Sequence, residues 1–173
     1  LKNNEKTVLI FFADHGASIG EKFGEKFYGV YTYDYTINSF CMIKIPNSEA
    51  KNNEKQCSIL DIFPTVLELA DINYSLNYKI EGKSLLNSNN LLEEKIFIET
   101  GGLYGYWPSP KKHNVFAVRY QNKKIIYNDS SENWEFYNLE KDPKEISNIY
   151  EKNLPEVIKF KELLIGYLKR LSI

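Results

Sequence analysis

The sequence predicts an α/β chain in which a mixed, mostly parallel sheet with helices is followed by a small antiparallel sheet packed on a C-terminal helix. Three observations predict it. Residues 8–13, VLIFFA, form an apolar run without alternation, which reads as a strand buried on both faces, as in a parallel sheet covered by helices. Residues 115–120, 123–127 and 134–139 alternate apolar and polar positions, with Asn122 and the 129–133 stretch supplying turns between them, the pattern of an antiparallel meander. Residues 155–171 space Val157, Phe160, Leu163, Leu164, Tyr167, Leu168 and Leu171 three and four apart, one face of a helix.

Taken in order, residues 1–6 are polar and read as an arm or the end of a helix. The first strand then runs into Asp14-His15-Gly16. Ligands of open α/β sheets sit outside the carboxyl ends of the strands, and Gly16 lets the backbone turn sharply there. A carboxylate and a neutral imidazole are oxygen and nitrogen donors for a divalent cation, so Asp14 and His15 read as metal ligands at a strand tip. The same residues also suit a plain turn, with Asp14 capping the loop and His15 exposed. Residues 17–35 follow as a long loop broken by Gly20, Gly24 and Gly29.

A second short apolar run, 40–45, ends at Pro46, and 47–56 is a polar surface loop. Residues 58–70 carry Ile59, Ile62, Phe63, Val66, Leu67 and Ala70 at helical spacing. Ser58 suits the N-cap or the position before it, Asp61 favours the helix dipole, and Pro64 is tolerated only in the first turn. Residues 73–90 are loop-like; Gly82-Lys83-Ser84 lacks the upstream glycine and preceding strand of a phosphate loop. Residues 95–100 read as a third core strand, and 103–114 as a loop beyond its tip that contains Trp107 and His113.

The totals bound the function classes. A chain of 173 residues can bury one sizeable core. A net charge of −1 gives no general attraction for nucleic acid. Thirteen Tyr suit β-rich edges or a carbohydrate-lined cleft equally well. Cys41 and Cys57 are too few for a disulfide scaffold and, lying in or beside apolar runs, read as buried thiols. No apolar run approaches the length that spans a bilayer, and no signal peptide opens the chain, which leaves the compartment unassigned.

Several segments together resemble the sulfatase family of the alkaline-phosphatase superfamily. Asp14-His15-Gly16 with Gly20-Glu21 is similar to its "DHG…GE" signature. Tyr33-Asp34-Tyr35-Thr36 and Met42-Ile43-Lys44-Ile45-Pro46 resemble its tyrosine-rich turn and "VPLII…P" strand. Residues 58–70 resemble "VDIFPTLLELAG", and Gly82-Lys83-Ser84-Leu85-Leu86 resembles "GxSL". Glu135 to Leu139 with Asp142-Pro143 and Asn148 resembles "ELYDLxxDPxExxN". Each piece alone is weak, but they stand in one order along nearly the whole chain.

The resemblance implies an alkaline-phosphatase-like fold of which this chain is the C-terminal half. Residues 1–114 would be the last part of the catalytic α/β domain, and 115–173 a small antiparallel-sheet-plus-helix subdomain. It implies a hydrolase of sulfate esters, with Asp14 and His15 as ligands of Ca²⁺, Mg²⁺, Mn²⁺ or Zn²⁺, of which the imidazole favours Mn²⁺ or Zn²⁺. Sulfatases use a nucleophile made in a "CxPxR" motif, which neither Cys41 nor Cys57 fits, so that group is expected from the half of the family preceding "DHG". The position that usually holds Lys or His before the "YD.T" turn falls at Tyr28-Gly29 here. Lys26 is the nearby catalytic candidate, against an ordinary surface lysine. His113 is a candidate second-metal ligand or substrate donor, against an exposed loop histidine. The expected partners are a small-molecule or glycan sulfate or phosphate ester and the N-terminal half of the same protein, with no nucleic acid. Phosphodiesterases, phosphatases and phosphoethanolamine or phosphoglycerol transferases share Asp-His-Gly, and a non-catalytic binding domain would also keep the fold.

Overall fold

Alternating apolar residues on three successive strands make the best-buried part of the chain. The computed structural model describes residues 6–22, 31–52, 56–73, 80–86, 95–101, 113–129 and 131–171. The elements are β1 (Leu9–Phe12), α1 (Asp34–Ile37), β2 (Cys41–Lys44), a single 3₁₀ turn (Ile59–Asp61), α2 (Ile62–Leu69), β3 (Ile96–Gly101), β4 (His113–Tyr120), β5 (Lys123–Asn128), β6 (Asn133–Asn138) and α3 (Pro155–Arg170). Two compact units result: Leu1–Ser48 with Phe97–Ile173, and Glu49–Ile96. Among the described residues no helix is long and apolar enough to cross a membrane.

In the first unit the strand order is β3-β4-β5-β6, and β4, β5 and β6 form the expected antiparallel meander. Ala117 pairs with Ile126, Val118 with Ile125, and Ile125 with Phe136. Period-two alternation therefore sorts the side chains onto two faces. Phe116, Val118, Ile125 and Phe136 pack with Val157, Phe160 and Leu164 of α3. Val115, Ala117, Ile126 and Tyr137 pack on the opposite side with Tyr33 and Leu139. Pro155 opens α3, where its missing N–H removes no helical bond, and Lys169 and Arg170 lie in the last turn against the helix dipole.

Two expectations are corrected here. The run 8–13 yields only the short strand β1, which pairs antiparallel with β2, Leu9 opposite Lys44 and Phe12 opposite Cys41. It is not buried on both faces: Phe11 is 54% and Phe12 47% exposed. A ribbon of two strands covers little of either face, so apolar side chains on it meet solvent whatever their pattern. Phe40 and Met42 share that exposure. Cys41 and Cys57 are likewise at the surface instead of buried, Cys41 because it lies on that same ribbon.

The second unit contains the helix expected after Ser58. The Ser58 side chain accepts from the Leu60 amide, and Asp61 Oδ2 accepts from the Ser58 amide at 2.7 Å, a reciprocal capping box. Asp61 is buried and its other oxygen accepts from the Lys83 amide at 2.9 Å. Thr65 Oγ1 accepts from the Leu85 amide, so two polar side chains of the helix fasten the 80–86 segment. Gly82 approaches Leu60 so closely that a Cβ would lie 2.1 Å from the Leu60 carbonyl oxygen. Phe63 and Val66, on the apolar stripe of α2, are exposed.

Candidate metal site and its supports

β1 ends at Phe12, two residues before Asp14, and the Ala13 amide still donates to Phe40 O at 3.2 Å. Asp14 and His15 then stand side by side. Asp14 Oδ1 accepts from the His15 amide at 3.0 Å, while Oδ2 lies 3.7 Å from His15 Nε2. His15 Nδ1 donates to the Gly16 carbonyl. A nitrogen facing a carbonyl carries the proton there, so Nε2 is the ring atom a cation would meet, as at metal-bound histidines. The carboxylate is 79% and the imidazole 44% exposed, so both can be reached.

This donor set fits a divalent cation as two of its ligands. Among the described residues no third His, Cys, Asp or Glu joins them, so the remaining ligands would come from elsewhere. Of the other candidates, Lys26 lies outside the described residues. His113 opens β4 instead of sitting in a loop, and its side chain is outside the described residues.

The turn after the pair is braced by Glu21. Its carboxylate accepts from the Ile19 amide at 2.8 Å and from Ser18 Oγ, and the backbone donors hold it below the usual carboxylate range. Gly20, at φ 108°, supplies the left-handed backbone this fold-back requires. Gly16 donates to Thr36 O at 2.7 Å, and a Cβ on it would lie 2.3 Å from the Tyr35 carbonyl oxygen.

α1 leads to a cluster of charges that the sequence reading did not single out. Asp34 Oδ2 lies 2.9 Å from Arg119 Nη1 and Oδ1 2.7 Å from Lys124 Nζ. Lys124 also lies 2.7 Å from Glu145 Oε1, and Glu145 Oε2 accepts from the Asp34 amide at 2.6 Å. Burial pushes the Glu145 carboxyl upward, with Lys124 pulling the other way. Glu145 has φ 53°, a left-handed conformation uncommon for a residue with a Cβ. Asp34, Tyr35, Asn38, Arg119, Leu139 and Pro143 line an open hollow of about 510 Å³ beside the cluster. Arg119 and Lys124 face each other across β4 and β5, on the side that meets Tyr33. Charged residues inside otherwise apolar strands were the available signal.

On the same face, Tyr33 donates to both oxygens of Glu135, at 3.0 and 2.8 Å, and Tyr137 donates to Glu135 Oε2. Lys22 sits 3.6 Å from the Tyr33 ring centroid and donates to Tyr137 Oη at 3.2 Å. Burial, then the Glu135 carboxylate, pushes the Tyr137 phenol far above its ordinary value of 10.

A family model described as N-sulphoglucosamine sulphohydrolase, C-terminal, matches residues 23–170. The chain belongs to this sulfatase family. Asp14 and His15 stand just ahead of the matched residues of this sulfatase C-terminal domain. Over 161 residues the chain is 28% identical to an N-acetylglucosamine-6-O-sulfatase of Bacteroides thetaiotaomicron, covering 86% of this chain and 27% of that protein. It is 31% identical over 165 residues to arylsulfatase K of Bos taurus, covering 88% of this chain and 29% of that one. The chain thus spans less than a third of the curated sulfatases it matches.

Solved sulfatases share the fold. A 2-O GAG sulfatase superposes with a TM-score of 0.73 at 20% identity, covering 95% of this chain and 36% of that one. A protein solved in complex with its substrate, D-glucosamine-2-N,6-O-disulfate, gives 0.67 at 22% identity, covering 96% and 35%.

Proposed function

We propose that this sulfatase domain is the C-terminal part of a metal-dependent hydrolase of sulfate esters on a sugar. The observation that carries the reading is the adjacent pair Asp14 and His15, with Nδ1 engaged by Gly16 O and the imidazole and carboxylate both reachable. Membership of the family and the named substrates of its relatives supply the ester class. The nucleophile and the remaining metal ligands would come from polypeptide preceding this domain. The exposed Phe11, Phe12 and Met42 of β1 and β2, with Phe40 just before β2, support this, since they suit strands at home in a larger sheet.

Asp14 Oδ2 and His15 Nε2 would hold the cation, with Mn²⁺ or Zn²⁺ better matched to the imidazole than Ca²⁺. Such a cation neutralises the sulfuryl oxygens and lowers the pKa of a bound hydroxyl. Asp14 orders His15 through its amide, and Glu21 keeps the following turn closed over Ser18 and Ile19. Lys26 and His113 are proposed substrate contacts from their places in the sequence, and 1–114 and 115–173 are proposed as catalytic-domain and subdomain portions.

The test is turnover of an aryl sulfate by the polypeptide that contains this domain together with what precedes it. Asp14→Asn and His15→Ala should each lower kcat/KM by more than about 100-fold, because a lost ligand removes more than the lost orienting partner of a ligand does. Turnover of an aryl phosphate but no aryl sulfate would replace sulfate by phosphate chemistry. Turnover of neither, in a metal-loaded preparation, would sink the enzyme reading in favour of a binding domain.

A further inference from the structure

We infer that Asp34 is a positioning residue, tying the Asp14-His15 tip to the meander through α1 and Gly16; this rests on the proposed metal-ligand role of that pair. α1 is one turn of four residues, with no side-chain cap at Tyr33. A single turn has no intrinsic stability, so its place must be set by what it touches. On one side the contacts are with the meander and the turn that follows it. Both oxygens of Asp34 are taken by Arg119 and Lys124, which are cross-strand partners on β4 and β5. The Asp34 amide, an orphan donor at the start of the helix, is taken by the buried Glu145 carboxylate. Tyr33, 6% exposed, anchors the preceding residue among Val115, Ala117, Ile126 and Tyr137.

On its other side α1 abuts the strand tip without slack. The Gly16 amide donates to Thr36 O at 2.7 Å, and the Tyr35 carbonyl oxygen occupies the space a Gly16 Cβ would need. Gly16 directly follows His15 and its carbonyl fixes the imidazole through Nδ1. Any displacement of α1 relative to β4 and β5 is therefore passed to the ring that presents Nε2. Lys124 serves two carboxylates at once, so loss of the Asp34 carboxylate leaves it with Glu145 and removes the ion pairs that tie α1 to the strands.

The experiment uses the 173-residue chain and needs no turnover. Native-state hydrogen exchange is read at the Gly16 amide, with the Leu164 amide in α3 as the reference for global opening. Asp34→Asn should speed Gly16 exchange by about 10-fold or more beyond any change at Leu164, and Asp34→Glu should restore part of it. Broadening of the His15 ring resonances by Mn²⁺ should need several-fold more metal in Asp34→Asn.

Unchanged Gly16 exchange, or acceleration equal to that at Leu164, overturns the inference. So does Mn²⁺ broadening of His15 with the same metal dependence in both chains. Where Asp34→Asn does not fold, Arg119→Gln keeps the Lys124 pairs and must still speed Gly16 selectively; if it does not, the inference fails. Absence of any Mn²⁺ response in the unaltered chain shows that these two donors do not hold a cation without the ligands expected from elsewhere, and exchange alone then decides the link from Asp34 to Gly16.

Discussion

The Lys124 ammonium lies 2.7 Å from Oε1 of Glu145, and both side chains are wholly buried. Removing one member of such a pair leaves the other charged and dry, whereas removing both does not. Lys124→Met should lower stability by about 3–5 kcal/mol in urea denaturation, and adding Glu145→Leu should recover part of it. The deficit of the single variant has a predictable pH dependence. Burial already raises the Glu145 carboxyl above its usual 4.5, and without the ammonium only the Asp34 amide opposes that rise. A raised carboxyl carries its full penalty above the folded-state pKa and loses it as pH falls through that value. The deficit should therefore shrink on acidification.

Asp142 has the opposite sign. Its carboxylate accepts from the Ser147 amide at 2.8 Å and the Ile146 amide at 3.1 Å, which hold it below its usual 3.8. A depressed carboxyl contributes stability that is present above the unfolded pKa and is lost as pH falls through the folded one. Asp142→Asn keeps one oxygen acceptor but no charge. It should be less stable than the unaltered chain at neutral pH, and the gap should close below pH 3.8, measured by denaturant midpoints.

Gly16→Ala tests the closest backbone approach among the described glycines of the first unit. Its Cβ would meet backbone, the Tyr35 carbonyl oxygen at 2.3 Å, which cannot swing away as a side chain can. We expect a loss of about 1–3 kcal/mol in thermal denaturation, of the size seen when a packed site is overfilled.

Ser58→Ala removes one half of the capping box and should cost about 1 kcal/mol. Asp61→Ala should cost more, because the buried carboxylate also receives the Lys83 amide and its loss strands two donors. Circular dichroism on urea titration would rank the two variants.

The meander and α3 were legible because local pattern and tertiary burial agree there: strands 115–120, 123–127 and 134–139 alternate, and the helix face is continuous. The cap at Ser58 was legible for the same reason, since a capping box is a local arrangement. β1 was misread in burial because an unbroken apolar run reports what a strand is suited to lie against, and here it pairs with β2 alone among the described residues. Asp14 and His15 could be picked out by type and position, since neighbouring residues need no fold to be adjacent. The quartet of Asp34, Arg119, Lys124 and Glu145 could not be assembled without the register that sets Arg119 opposite Lys124. Nor could Glu145, whose φ of 53° turns its side chain inward from a segment that reads as a polar turn.

Tyr137 turns its own position into an optical reporter. With its hydroxyl committed to Glu135 in a buried position, this phenol holds its proton well beyond the range of an ordinary tyrosine. In an alkaline titration the solvent-facing tyrosines will colour the ultraviolet spectrum first. The increment from Tyr137 should come after theirs.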